Sequence, residues 1–124
     1  LRIQPQARAY HAAAVMGSWM LIAGGELEDG GSCGDMWVLD LKKESWRRVD
    51  RDMALAGRMR HMLCCLERPQ GQEEGAGGGT VALCGGHRDT TMDTRLVAVA
   101  VLRISDGVKG SDVRCEQLQG LPAE

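Results

Sequence analysis

The chain has 124 residues, a length suited to one domain with a sizeable core, and its 15 Lys+Arg against 17 Asp+Glu leave a formal net charge of −2. That balance gives no electrostatic argument for nucleic acid or for an anionic membrane surface as a partner. With 44% hydrophobic and 26% charged residues the composition is that of a soluble globular chain, and 17 glycines with no Phe predict many turns around a core of small aliphatic side chains.

Five cysteines (Cys33, Cys64, Cys65, Cys84, Cys115) make an odd count with no CxxC pair. Reduced thiols in a cytoplasmic or nuclear setting fit this better than a secreted disulfide framework. The N-terminus shows no basic region leading into an apolar one, and it lacks an initiator Met. The longest apolar stretch, Leu96 to Leu102, is far too short to span a bilayer. The expected partner is therefore neither nucleic acid nor a membrane.

In chain order, Leu1-Arg2-Ile3 reads as a strand tail and Gln4-Pro5-Gln6 as a turn. Residues 11–16 and 19–23, separated by Gly17-Ser18, read as a hairpin. Its second strand runs abruptly into Gly24-Gly25, where a buried strand must turn so sharply that only residues without Cβ fit. Glu26 to Gly34 is a polar, glycine-rich loop. Asp35 to Leu41 is a strand with Trp37, Leu39 and Leu41 on one face and Met36, Val38 and Asp40 on the other. After the charged turn Lys42 to Ser45 comes a short fourth strand, residues 45–49. Four short strands with no helix between them predict an antiparallel sheet.

Met53 to Leu66 carries apolar residues at near-helical spacing, but Arg58-Met59-Arg60-His61 repeats Arg8-Ala9-Tyr10-His11 as Arg-x-x-His, 50 residues on. That repeat favours a strand from His61 to Leu66 over a helix. Residues 67–79 are polar, glycine-rich and low in complexity, and are expected to be a disordered insertion at a hairpin tip. Thr80 to Gly86 then repeats the strand ending in Gly-Gly, residues 96–102 match the third strand, Ser105 to Asp112 reads as a turn, and residues 113–118 match the fourth strand.

A unit of about 50 residues, four strands per unit and a Gly-Gly doublet resemble the kelch repeat, in which each unit forms one blade of a β-propeller. The first unit carries Arg8, His11, Gly24, Gly25, Trp37, Asp40 and Trp46 in the family's order; the second keeps Arg58, His61, Gly85 and Gly86 but has no tryptophan, with Cys115 near the counterpart of Trp46 and Ala98-Val99 in place of Leu39-Asp40. The resemblance implies an all-β fold: two four-stranded antiparallel blades of an incomplete kelch-type propeller, blade one at about 8–50 and blade two at about 58–121. These motif residues are read as scaffold. The glycines allow a close backbone approach, Trp46 offers a large plate for packing between sheets, and His11 and His61 are expected to make structural hydrogen bonds.

Two blades do not close a propeller, which needs ~4–8, so the chain reads as a piece of a longer protein. Alone, it is expected to be poorly soluble or partly unfolded, and a sharp cooperative transition from a monomer would count against that. A stand-alone two-unit protein would instead have to assemble into a closed ring.

Three local patterns bear on chemistry. Cys84-Gly85-Gly86-His87 has the spacing of half a zinc site, but no second ligand pair stands at a matching distance. Cys64 and Cys65 point to opposite faces of a strand. Gly75 to Gly79 precedes a strand and lacks the Gly-Lys-Ser/Thr of a phosphate loop. Galactose oxidase, a copper enzyme of the same superfamily, uses tyrosines and histidines at its metal, and Tyr10 alone cannot rebuild such a site.

No cofactor and no metal are expected, and the reading is non-enzymatic: a kelch module presenting loops to a protein partner, as in adaptors of ubiquitin ligases joined to BTB or F-box domains. The alternative is the non-catalytic part of a propeller enzyme whose active residues lie elsewhere. The candidate partner-binding residues are Glu26, Glu28 and Asp29 in one loop and His87, Arg88 and Asp89 in the equivalent loop of the second unit.

Overall fold

A computed structural model describes residues 3–49, 61–67, 77–86, 99–106 and 113–120. The first unit contains β1 (Ala12–Met16), β2 (Trp19–Ala23), β3 (Met36–Asp40) and β4 (Ser45–Arg48), and the second contains β5 (Met62–Glu67), β6 (Gly79–Cys84), β7 (Val99–Asp106) and β8 (Val113–Gly120). Each group forms its own four-stranded sheet in sequential order, antiparallel throughout. The all-β, two-blade architecture expected from the repeat is the one observed.

The local chemistry explains these elements. Met16 pairs with Trp19, so Gly17-Ser18 is a two-residue hairpin turn, and Gly17 supplies the positive φ of 61° that its first central position requires. The β3–β4 turn is tied by Asp40. Its carboxylate accepts from the backbone N–H of Lys42 (3.0 Å) and Lys43 (3.1 Å), and its carbonyl accepts from Glu44 (2.7 Å). This is why an acid stands buried at the end of an apolar strand. Leu41 is not part of the β3 face; it lies in the turn, with its N–H bonded to the carbonyl of Ser18.

Strand alternation divides each sheet into two faces. In the first, Met16, Trp19, Leu21, Ala23, Met36 and Val38 point inward and are buried against the second sheet, which contributes Val81, Leu83, Leu102, Ile104, Val113 and Cys115. Leu63 and Cys65 pack at the margin of this shared core. Cys64, the neighbour of Cys65, is exposed, as the alternation requires. Two isolated bridges also cross between the sheets, Gly17 with Gly77 and Val49 with Val113.

Three expectations need adjustment. Among the described residues the third strand of unit two is Val99–Asp106, so Ser105 and Asp106 belong to the strand and not to the following turn; the expected residues 96–98 lie outside the described residues. The reason is alternation. Leu102 and Ile104 are fully buried and Arg103 between them is exposed, whereas the uniformly apolar run before them distinguishes no face. Register then makes Leu102 and Arg103 the counterparts of Leu39 and Asp40, because Leu21 pairs with Val38 as Ala82 pairs with Val101. The partner of Leu39 is Trp46 and that of Leu102 is Gln117, so Gln117 rather than Cys115 stands at the tryptophan's position. Finally, β5 reaches Glu67 and β6 begins at Gly79, leaving the expected insertion to 68–78; residues 68–76 lie outside the described residues.

Gly77 and Gly78 have steric work in the fold. A Cβ at Gly77 would be built into the Trp19 indole, whose ring also carries the Arg47 guanidinium 4.6 Å from its centroid. Gly77→Ala should therefore lower stability by ~1–3 kcal/mol as the indole or the strand entry shifts. Gly30→Ala, where φ is +88° but no atom lies within 4 Å of the added methyl, should lose only ~1 kcal/mol from backbone strain. Urea unfolding of both variants checks the order, and equal losses would show that the Gly77–Trp19 contact does not hold the blades.

Candidate partner-binding face

The loop 26–34 stands on a base that begins with the glycine doublet. Gly24 (φ 69°) and Gly25 (φ 113°) follow β2, and Gly85 (φ 69°) and Gly86 (φ 102°) follow β6 with nearly the same angles. A Cβ at Gly25 would lie 2.8 Å from the carbonyl oxygen of Ala9 and 3.1 Å from Cβ of His11. The glycine is thus needed both for its conformation and for the approach of the chain to the Arg-x-x-His segment. That approach is closed by a reciprocal pair of backbone bonds, Ala9 N–H to Glu26 (2.9 Å) and Glu26 N–H to Ala9 (2.7 Å). Tyr10, next to this bridge, is held at a φ of 58° and is half exposed.

Beneath the loop Arg8 and Asp35 form a two-pronged ion pair, Nη1–Oδ1 at 2.7 Å and Nη2–Oδ2 at 3.0 Å. The Arg8 side chain is 4% exposed and that of Asp35 20%. Arg8 also donates to the carbonyls of Gly24 (3.1 Å) and Gln6 (3.0 Å), and Trp37 Nε1–H donates to Asp35 Oδ2 at 2.8 Å. One guanidinium therefore ties together the segment before β1, the end of β2 and the start of β3. Burial pushes the Asp35 carboxyl up, but the hydrogen bonds from Arg8 and Trp37 and the charge of Arg8 outweigh it and hold the group below the usual carboxylate value. The bond to Asp35 likewise raises Arg8 above its ordinary value, against burial, which lowers it.

The loop itself is internally bonded. Leu27 N–H reaches Gly31 (2.8 Å), Gly30 N–H reaches Leu27 (2.9 Å), and Gly31 N–H reaches Asp29 Oδ1 (2.8 Å). Cys33 N–H returns to the carbonyl of Gly25 (2.8 Å), and its buried thiol is raised, chiefly by burial. Glu28, Asp29 and Gly30 are left exposed at the tip, with Glu26 half-buried at the root.

Of the residues singled out in the sequence, Arg8, Gly24, Gly25 and Trp37 come together at this base. Trp46 lies further along the same face of the sheet as Trp37, half-buried beside Leu39, and Asp40 serves the β3–β4 turn. His11 is exposed, whereas its counterpart His61 is buried, so the two equivalent histidines do not share an environment. Arg58, His87, Arg88 and Asp89 lie outside the described residues. Cys84 is half-buried, and the zinc spacing cannot be followed to His87; among the described residues no three His, Cys, Asp or Glu side chains are grouped to hold a metal. Among the same residues no helix is long and apolar enough to cross a membrane. The residue that sequence reasoning missed is Asp35. Its place directly before the apolar strand was the available signal, but its pairing with Arg8 spans 27 residues and has no local pattern.

Compared with known families, residues 7–52 match the family model described as the Kelch motif. No curated protein matches the chain by sequence.

The ion pair predicts an acid limb of stability. Asp35 has a depressed folded value, so its contribution is full above the unfolded carboxylate value near ~4 and is lost as pH falls through the lower folded value. Thermal unfolding followed from pH 7 down to about 2 should show Asp35→Asn less stable than wild type at neutral pH, by ~1–3 kcal/mol for a partly buried charge left with a weaker partner. The two curves should converge at the acid end, and a constant gap across the range would exclude the ion pair as its source.

Proposed function

We propose that this chain, whose first unit is a kelch motif and whose two sheets are blades of a partial propeller, is a non-catalytic interaction module that meets a protein partner through the 26–34 loop. One observation carries the reading: the exposed carboxylates of Glu28 and Asp29 stand on a loop whose root is fixed by backbone bonds to Ala9 and Gly25, over the Arg8–Asp35 pair. A loop anchored in this way loses little conformational freedom on binding, which favours recognition over adaptability. Scaffold elements that hold variable loops rigidly are a common arrangement for binding surfaces.

The exposed acids suit a partner surface carrying positive charge, and the half-exposed ring of Tyr10 beside the Ala9–Glu26 bridge adds apolar contact area. In this reading the chain is an adaptor: it holds a partner while any chemistry is done by another domain or another protein. In the sequence, His87, Arg88 and Asp89 likewise follow a glycine doublet.

Reversing the charge of the tip, Glu28→Lys with Asp29→Lys, should leave the unfolding free energy within ~0.5 kcal/mol of wild type, because both side chains are exposed. The same change should weaken partner capture by roughly tenfold, equivalent to about 1.4 kcal/mol. Affinity enrichment with quantitative mass spectrometry, wild type against the double variant, reads this out. An identical set of interactors in identical amounts would overturn the assignment of the loop.

A further inference from the structure

Four cations and one acid fall within residues 41–48, the β3–β4 turn and β4 itself, in a chain whose formal net charge is −2. Lys42, Lys43 and Arg48 are exposed, and Trp46 and Arg47 are half-buried. Among the described residues no ion pair takes up Lys42, Lys43 or Arg48. Arg48 lies over the Trp37 ring at 5.9 Å, and Arg47 over that of Trp19 at 4.6 Å. Asp40, the acid just before them, is buried, and its carboxylate is occupied by the backbone N–H groups of Lys42 and Lys43.

The same strand has an open side. In the sheet order β1-β2-β3-β4, β4 has β3 on one side and, among the described residues, no strand on the other. Val49 N–H donates to the carbonyl of Met36 at 2.9 Å, which sets the phase of the ladder and makes Arg47 with Val38 a hydrogen-bonded pair. By the alternation of an antiparallel ladder, Trp46 then turns its N–H and C=O groups, and Arg48 its N–H, to the open edge. Past Arg48 the chain bridges to the second sheet, Val49 with Val113.

An open edge is a template for another strand, and charge is one device that keeps such edges from pairing with each other. That device alone does not account for this edge. β8 is the equivalent edge of the second sheet, and there register places Gln119 and Gly120 where β4 has Arg47 and Arg48, because Val101 and Ala100 correspond to Val38 and Trp37. The basic character belongs to one edge. The sheets meet through their faces, so the number of sheets stacked on either face does not change what this edge presents.

We propose that the β4 edge takes an extended acidic segment of a protein partner, added to the first sheet as a further strand. Main-chain bonds to Trp46 and Arg48 set its register, and the half-buried indole of Trp46 gives apolar contact on one face. Lys42, Lys43 and Arg48 meet its carboxylates and select against basic segments. This surface lies at the opposite end of β3 from the 26–34 loop and is opposite to it in charge, and the inference does not rest on the reading of that loop.

A fluorescent peptide of about eight residues, alternating glutamate and valine, matches a strand in length. Titrated into the full chain and read by anisotropy, it should bind saturably, while the same peptide with lysine for glutamate should not. Methylating its backbone nitrogens keeps the charges but removes the donors, and should weaken binding by roughly tenfold or more. Bound peptide should slow hydrogen exchange of the Trp46 and Arg48 amides. Lys42→Glu with Lys43→Glu, in the exposed turn, should weaken binding by roughly tenfold with circular dichroism unchanged, and Arg48→Glu should do so separately. Wild type that does not bind the glutamate peptide would overturn the proposal. So would methylated and parent peptides that bind alike, which means charge attraction without an added strand, or amide protection outside β4; none of these three results depends on a variant folding.

Discussion

Both faces of the first sheet are apolar, and a sheet with two apolar faces in water must find cover on each side. The fold of the described residues follows from how one of those needs is met. Leu21, Val38 and Met16 on one side and Leu83, Leu102 and Ile104 on the other reach essentially complete burial only because the sheets stack. Full burial of a side chain of this kind contributes ~1.5–3 kcal/mol, so six of them outweigh the two isolated bridges that also cross the seam. Hydrogen bonding defines each blade, and apolar contact between blades makes them a tertiary structure. Stacking of this kind can be extended by any sheet of the same pattern, which is how a repeat array gains stability from neighbours rather than from within one unit.

The stacked sheets need a fixed phase along the chain, and the glycine doublet with the Arg8–Asp35 pair supplies it in the first unit. Gly25 lets the Ala9 carbonyl oxygen approach to within 2.8 Å of where a Cβ would stand, and Arg8 then spans from that crossing to Asp35 at the head of β3. The second unit keeps the doublet at almost the same φ values. By register, however, the position of Asp35 falls at Ala98, because Trp37 pairs with Ile22 as Ala100 pairs with Leu83. The backbone turn is therefore common to both units while the carboxylate belongs to the first.

Much of this was legible in the sequence, for identifiable reasons. β1 to β4 are legible within a residue or two because each is bounded by residues with a turn chemistry of their own: Gly17, the doublet at 24–25 and Asp40. The strand from His61 prevailed over a helical pattern because the Arg-x-x-His phase is a long-range signal that periodicity within one window cannot override. β7 runs past its expected end because seven consecutive apolar residues contain no information about facing, and only Arg103 between two buried residues fixes it. Gly77 looked like one more residue of a low-complexity run. Its requirement for glycine comes from Trp19, 58 positions earlier, and a contact of that kind leaves no trace in local composition.

The candidate site was legible as a loop and illegible as a mechanism for holding that loop. Glu28 and Asp29 could be placed on the surface from polarity alone, but the loop is held by Ala9 and Arg8, well before it in the chain, acting on Glu26 and on Asp35 at its two ends. That division has a functional sense. The anchoring bonds use backbone atoms of Ala9, Glu26, Gly25 and Cys33, and the ion pair beneath uses side chains that point away from solvent. None of these contacts depends on which side chains stand at the exposed positions 28 and 29. The tip can therefore change its chemistry without loosening its base.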